Sequence, residues 1–220
     1  MPLLAYCMTE ASAAVQMPSA GVAGARVEEL QESGLQCCFS HFESREQIAA
    51  IPAVESAFAF HQVLQVLFRQ TSIISFRFPT ILGNQEELRQ HLREHAPRYA
   101  EALTRLRHMV QMEIHIGTSQ AMETGPPASS GREYLQQRQA RAAELKATGE
   151  RFNQAIRPWV VEWRERQTDG GLRCYVLLHR DAVSSFQQAA QALSQNLPGT
   201  RLSGPWPPAE FLEVKDSLNG

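Results

Sequence analysis

The sequence has few cysteines, no long apolar run and almost no net charge, and each absence excludes a class of protein. Its four cysteines include no C-x-x-C pair, the spacing that zinc sites and thiol redox centres use. No stretch approaches the ~18 consecutive apolar residues of a membrane-spanning helix. Lys and Arg number 21 against 23 for Asp and Glu, and a net charge of -2 does not favour nucleic acid or an anionic membrane as a partner.

Targeting and catalytic motifs are missing as well. The apolar residues 3–8 have no preceding Lys or Arg and are followed by Thr9 and Glu10, which does not fit a signal peptide. No glycine-rich phosphate loop and no nucleophile elbow occur. We therefore expect a cytoplasmic protein whose cysteines are buried free thiols, with the neighbours Cys37 and Cys38 on opposite faces of a strand.

The hydrophobic pattern predicts an α+β protein. Strands are expected near residues 3–8, 26–30, 35–40, 73–78 and 110–116. A helix from Val54 to Phe68 is apolar on several sides, so we expect it to be buried on most of them. Asn84 and Glu87 can cap an amphipathic helix that Pro97 should kink or divide.

The order of elements predicts two domains. Residues 1–108 form an N-terminal α+β domain, and residues 109–220 form a ferredoxin-like domain with a mobile loop near 117–131. In the second domain we expect a long helical region from Leu135 to Trp163 broken at Pro158, a strand at 172–179, a helix at 183–197 and a short strand at 201–203.

One segment offers an enzymatic alternative. Residues 91–95 match H-x-x-E-H, in which His91 and His95 could bind zinc while Glu94 activates water for a zinc-dependent hydrolase. A third ligand is required, and the surrounding helix flank is charged and contains Pro97. We prefer the interpretation that these are two solvated histidines beside an apolar stripe, since a short motif needs structural context to count.

Two further features have alternative interpretations. Basic residues of the long helix admit RNA or anion binding, and the ferredoxin-like half could be a nucleic-acid-binding or small-ligand-binding module. Interleaved glutamates favour a solvated face with paired charges. The stiff tail Gly204-Pro205-Trp206-Pro207-Pro208 could serve SH3-like or WW-like domains. We prefer that Trp206 anchors the tail on its own domain, because three prolines end the last strand and hold the ring rigidly.

These stretches resemble one protein family, the gas vesicle proteins GvpL/GvpF. The tail with Phe211 is similar to the family's terminal G-P-W-P-P-Y-x-F signature, and residues 61–64, 74–80 and 131–135 are similar to three further family elements, in order. Ser75, Pro79, Ala209 and Cys7 depart from the family pattern, as in a divergent member. The resemblance marks these structural signature residues: His61, Arg77, Phe78, Gly131, Tyr134, Gly204, Pro205, Trp206, Pro207, Pro208 and Phe211.

The resemblance implies a non-catalytic accessory protein of the gas vesicle. It implies an N-terminal α+β domain followed by a modified ferredoxin-like domain, with no catalytic residue, cofactor, metal or small-molecule substrate. The implied partners are the gas vesicle shell subunit and other accessory proteins. Shell subunits have an apolar surface that would aggregate in water, so the expected task is to hold or nucleate them, by strand addition or by helix docking.

Overall fold

The computed structural model describes residues 1–117, 131–168, 170–195, 197 and 199–212, and the chain divides into two compact units. The first unit contains Met1–His108 together with the tail from Trp206, and the second contains Met109–Pro205. The predicted division placed this tail in the second domain. It groups with the first unit because Trp206 packs against His61 and the Phe211 carbonyl accepts a hydrogen bond from Arg105.

The first unit is built on a four-stranded sheet in the order β2-β3-β1-β4. Both β3 and β4 pair antiparallel with β1, and β2 pairs antiparallel with β3. The central strand β1 is buried along nearly its whole length, which explains its continuous apolar sequence. The strands are β1 (Leu3–Glu10), β2 (Glu28–Glu32), β3 (Leu35–His41) and β4 (Ile74–Leu82).

A β-bulge interrupts the pairing of β1 with β3. Ala5 lies opposite Phe39 and Cys7 lies opposite Cys38, so β1 uses one more residue than β3 between these pairs. The extra residue is Tyr6, whose hydroxyl lies 2.9 Å from Ser40 Oγ and accepts a hydrogen bond from the backbone N–H of Val22. The bulge thereby allows a buried tyrosine to fix the loop that follows β1.

The described residues of the first unit also form the α-helices α1 (Arg45–Ala49), α2 (Ala53–Phe68) and α3 (Gln85–Arg105). The predicted cap of α3 is confirmed, since Asn84 Oδ1 accepts a hydrogen bond from the Glu87 N–H at 3.0 Å. Pro97 does not divide the helix, which runs unbroken through it. The buried side chains Leu92 and Leu103 flank Pro97, and their burial offsets the hydrogen bond that proline removes.

The second unit contains a second four-stranded sheet in the order β6-β7-β5-β8. Both β5 and β6 pair antiparallel with β7. The prediction of mixed helices and sheets is therefore confirmed. In chain order the elements are β5 (Met109–Gly117), α4 (Gly131–Ile156), β6 (Glu162–Thr168), β7 (Gly171–His179), α5 (Val183–Ser194) and β8 (Thr200–Trp206).

Two predicted boundaries in the second unit are wrong. The helical region was expected to reach Trp163, but α4 ends at Ile156 and Trp163 belongs to β6. The last strand was expected to end at the prolines, yet β8 runs through Pro205 to Trp206. An outer strand tolerates Pro205, because a residue without an N–H can face away from the ladder. Apart from its two end residues, the predicted loop at 117–131 lies outside the described residues.

All four cysteines are buried free thiols, as predicted. A side-chain hydrogen bond with Cys38 and burial raise the pKa of Cys7 well above its usual value, and burial raises the pKa of Cys37. Burial, followed by the nearby Glu165 charge, raises the pKa of Cys174 to about 12. Cys7, Cys37 and Cys174 therefore stay protonated at neutral pH.

Candidate protein-binding surface

The signature residues fall into both units. His61 lies on α2, Arg77 and Phe78 lie on β4, and Trp206, Pro207, Pro208 and Phe211 form the tail of the first unit. Gly131 and Tyr134 lie in the first turn of α4, and Gly204 and Pro205 lie near the end of β8, all in the second unit. The signature therefore does not form a single site.

Helix α2 brings three signature residues of the first unit near one another. The Trp206 ring meets the His61 ring edge to face, with 5.1 Å between the ring centroids. Phe78 packs against Phe60 at 5.1 Å, and Phe60 packs against Tyr6 at 5.3 Å. These aromatic contacts tie β4, α2 and the tail into one hydrophobic assembly. Arg77 is exposed, and its carbonyl accepts a hydrogen bond from the Thr80 hydroxyl at 2.6 Å.

The tail is held on the first unit at two points. Trp206 is half-buried against α2, and Phe211 is fully buried. The Arg105 guanidinium donates a hydrogen bond to the Phe211 carbonyl, and Leu212 packs against the buried core of the first sheet. The tail is thus anchored on the chain, as predicted, but on the first unit and not on the second domain to which the prediction assigned it.

One face of α2 departs from the predicted burial. The helix was expected to be buried on most sides, but Val54 is 83% exposed and Phe58 is 63% exposed. Ala53 and Ala57 are exposed on the same helix, and Ala50 is exposed shortly before it. The buried stripe is instead formed by Phe60, Val63, Leu64, Leu67 and Phe68. Because α2 is apolar on two faces and only one faces the sheet, the other is left in water.

We call the exposed residues Ala50, Ala53, Val54, Ala57 and Phe58 the α2 patch. Between residues 49 and 59 the sequence carries one charge, that of Glu55. An exposed apolar surface with so little charge is typical of a protein-binding site. The sequence signal was present, since residues 49–59 read AAIPAVESAFA, but periodicity alone does not tell which of two apolar faces is buried.

The H-x-x-E-H segment forms a packed corner of α3. His91 was expected to be solvated but is buried, because its ring packs in α3 with Nε2 2.9 Å from the Tyr99 hydroxyl. His95 stacks on His91 and donates its Nδ1–H to the His91 carbonyl at 2.9 Å. Glu94 is exposed and accepts a hydrogen bond from Gln90. The Glu94 carboxylate thus faces water, whereas the His91 ring is buried.

No group of three or more His, Cys, Asp or Glu side chains in the described ranges could hold a metal ion. The helical spacing of His91 and His95 serves packing, because their ring nitrogens bind Tyr99 and a backbone carbonyl. The arrangement gives no support to a zinc-dependent hydrolase. No helix in the described part of the chain is long and apolar enough to cross a membrane.

Replacing Tyr99 with phenylalanine tests this structural role of His91. We expect the free energy of unfolding to fall by about 1–2 kcal/mol, because the buried His91 Nε2 loses a hydrogen bond while the packing volume is kept. Urea denaturation of the full chain, followed by circular dichroism, measures the change. An unchanged midpoint would contradict the role given to this hydrogen bond.

Comparison with known proteins gives one family and one fold. The family model described as "Gas vesicle synthesis protein GvpL/GvpF" matches residues 2–213. The crystal structure of the gas vesicle protein GvpF from Anabaena sp. PCC7120 is similar with a TM-score of 0.74 and 15% identity, covering 98% of this chain and 97% of that one. GvpF from Microcystis aeruginosa is similar with a TM-score of 0.72 and 15% identity, covering 97% of this chain and 99% of that one. No curated protein matches the sequence.

Proposed function

The chain belongs to the gas vesicle synthesis protein GvpL/GvpF family and has a gas-vesicle-related role, and on this premise we propose that it binds gas vesicle shell subunits through the α2 patch. In this role it is a non-catalytic accessory protein of gas vesicle assembly. The observation that carries the proposal is the exposure of Val54 and Phe58 on a helix whose other face is packed in the core.

The chemistry of the α2 patch suits an apolar partner. A shell subunit with an apolar surface aggregates in water unless another apolar surface covers it. Phe58 offers an aromatic anchor, a residue type that is enriched at protein interfaces, and the alanines around it let a partner approach the helix closely. His61, which contacts the half-buried Trp206, lies on the same helix.

The edges of the sheets favour docking on a helix over strand addition. The outer strands are β2 and β4 in the first sheet, and β6 and β8 in the second. Glutamates crowd β2, glutamates and arginines crowd β6, and Pro79 and Pro205 remove a donor from β4 and β8. Charges and prolines on outer strands discourage pairing with another chain. The residues of the α2 patch include no charged side chain and no proline, so this surface is better suited to binding a partner.

The second unit takes the ferredoxin-like arrangement in this proposal. Its order β-α-β-β-α-β and its sheet order β6-β7-β5-β8 support that assignment. The unit carries no part of the α2 patch. The partners are the shell subunit and other gas vesicle accessory proteins, met in the cytoplasm or at the vesicle, and nucleic acid, membrane and small-molecule substrates have no part in the role.

Replacing Phe58 with glutamate tests the proposal. When the tagged protein is co-expressed with the major shell subunit, we expect the variant to retain the subunit at least about tenfold less than the unaltered protein. Burial of a phenylalanine stabilises a contact by about 1.5–3 kcal/mol, and a charge in its place opposes burial. The amount of co-purified subunit is measured against the amount of bait.

Leu135→Glu is the matched control, since Leu135 is also a helical residue and is 56% exposed, but lies on α4 in the second unit. It should retain the shell subunit fully. Equal retention by both variants, with circular dichroism showing both folded, would refute binding through the α2 patch. Failure of the unaltered protein to retain the subunit would refute the proposed partner itself.

A further inference from the structure

Three sulfur atoms meet on the face of the first sheet that carries Tyr6 and Ser40. Cys7 on β1 lies directly opposite Cys38 on β3, so the two side chains share one face of the sheet. The Cys38 thiol also points to the thioether of Met17, with 3.7 Å between Sγ and Sδ. We call Cys7, Met17 and Cys38 the sulfur cluster.

The β-bulge in β1 is what brings Cys7 to this cluster. In a regular strand Ala5 and Cys7 would share a face, because side chains alternate. Ala5 belongs to the core on the α3 side, together with Met8, Cys37 and Phe39. The extra residue Tyr6 turns Cys7 to the other face, where Cys38 lies. Bulges that re-aim a side chain are frequent beside functional sites.

Met17 is held in place by the loop that follows β1. The Gln16 N–H donates to Gln70 Oε1 at 2.8 Å, and Gln70 Nε2 donates back to the Gln16 carbonyl at 3.0 Å. This reciprocal pair fixes the backbone next to Met17 against the C-terminal end of α2. Cys7 and Cys38 are fully buried, whereas Met17 is half-buried. Strand pairing therefore fixes the two cysteines, and the Gln16–Gln70 pair fixes the loop that carries Met17. Met17 is the residue of the cluster that solvent reaches.

We propose that the sulfur cluster binds one Cu(I) ion through the two cysteine sulfurs and the methionine thioether. Soft thiolate and thioether ligands select Cu(I) among the first-row metals. Three sulfurs bonded at about 2.3 Å to a central ion lie about 4 Å apart, close to the spacing of Cys38 and Met17. Zn²⁺ prefers four nitrogen, oxygen or thiolate ligands, and this cluster offers only two of these, the thiolates of Cys7 and Cys38.

Binding changes protons and no electrons. Cu(I) replaces the two thiol protons, which leave to the buffer, and the ion stays Cu(I) in the product. The complex of two thiolates, a neutral thioether and Cu(I) carries one net negative charge. The ion enters past Met17, the half-buried ligand of the three. This inference does not depend on the proposed shell-subunit binding.

Anaerobic titration of the full-length protein with the Cu(I) complex of bicinchoninate tests the proposal. We expect one Cu(I) to transfer per chain, with an X-ray absorption signature of three sulfur neighbours. Met17→Leu should reduce the number of sulfur neighbours to two and weaken binding by about tenfold or more, with little effect on folding. Cys38→Ala should abolish the site, and Zn²⁺ should not compete.

Two cysteines serve as matched controls. Cys37 is adjacent to Cys38 but belongs to the α3-side core, and Cys174 is a buried thiol of the second unit. Cys37→Ala and Cys174→Ala should each keep one Cu(I) with three sulfur neighbours. No transfer to the unaltered protein, equal loss in Cys37→Ala and Cys38→Ala, or three sulfur neighbours in Met17→Leu would each overturn the site.

Discussion

Replacing Gly171 with alanine is expected to lower the free energy of unfolding by about 3 kcal/mol or more. Gly171 begins β7 with φ of +140°, a conformation that L side chains rarely adopt. A Cβ there would lie 2.1 Å from the Ile116 carbonyl oxygen on β5. Because the clash is with the backbone of a paired strand, no side-chain rotation relieves it. Urea denaturation followed by circular dichroism measures the loss.

Gly170 provides the control, since it precedes Gly171 and a Cβ on it would meet no atom within 4 Å. Gly170→Ala should leave the denaturation midpoint nearly unchanged. Equal midpoints for the two variants would show that β7 does not approach β5 as closely as the structure indicates. The pairing of β7 with β5 would then need another register.

Replacing Phe211 with alanine should cost about 3–5 kcal/mol of stability in the first unit. Phe211 is fully buried although it lies near the end of the described chain, and its carbonyl accepts a hydrogen bond from Arg105. Removing the ring leaves a cavity and loosens the segment that carries Trp206. Chemical denaturation of the full chain gives the loss in stability.

Phe58→Ala is the matched substitution, because Phe58 is 63% exposed. Its effect on stability should stay within about 0.5 kcal/mol. If Phe211→Ala were as mild, the tail would not be part of the folded core. Its signature residues would then require an explanation outside the first unit.

Much of the fold follows from local sequence. The central strands β1, β3 and β5 have apolar runs or strict alternation, and Asn84 marks the start of α3 through its side-chain oxygen. These signals are strong because burial and capping act on residues close in sequence. Strand β6 was missed since its sequence EWRERQT is polar and charged, as suits an outer strand that faces water on one side.

The candidate sites were harder to predict, because both depend on which face of an element is covered. Val54 and Phe58 have the composition of a core helix, and only the packing of α2 on β1 and β4 leaves them in water. Cys7 and Cys38 are far apart in sequence, and the bulge at Tyr6 decides that they face each other. The spacing of residues along one helix or strand therefore predicts neither which face of α2 is exposed nor on which face of the sheet Cys7 lies.

Site-specific photo-crosslinking tests most directly whether the α2 patch contacts the shell subunit. A photoreactive phenylalanine analogue is placed at position 58, or at position 135 as the control, in protein co-expressed with the subunit. Binding through the α2 patch predicts a crosslinked product of the combined mass from position 58 and none from position 135. Crosslinking from position 135 alone, or from neither position while the subunit still co-purifies, would contradict it.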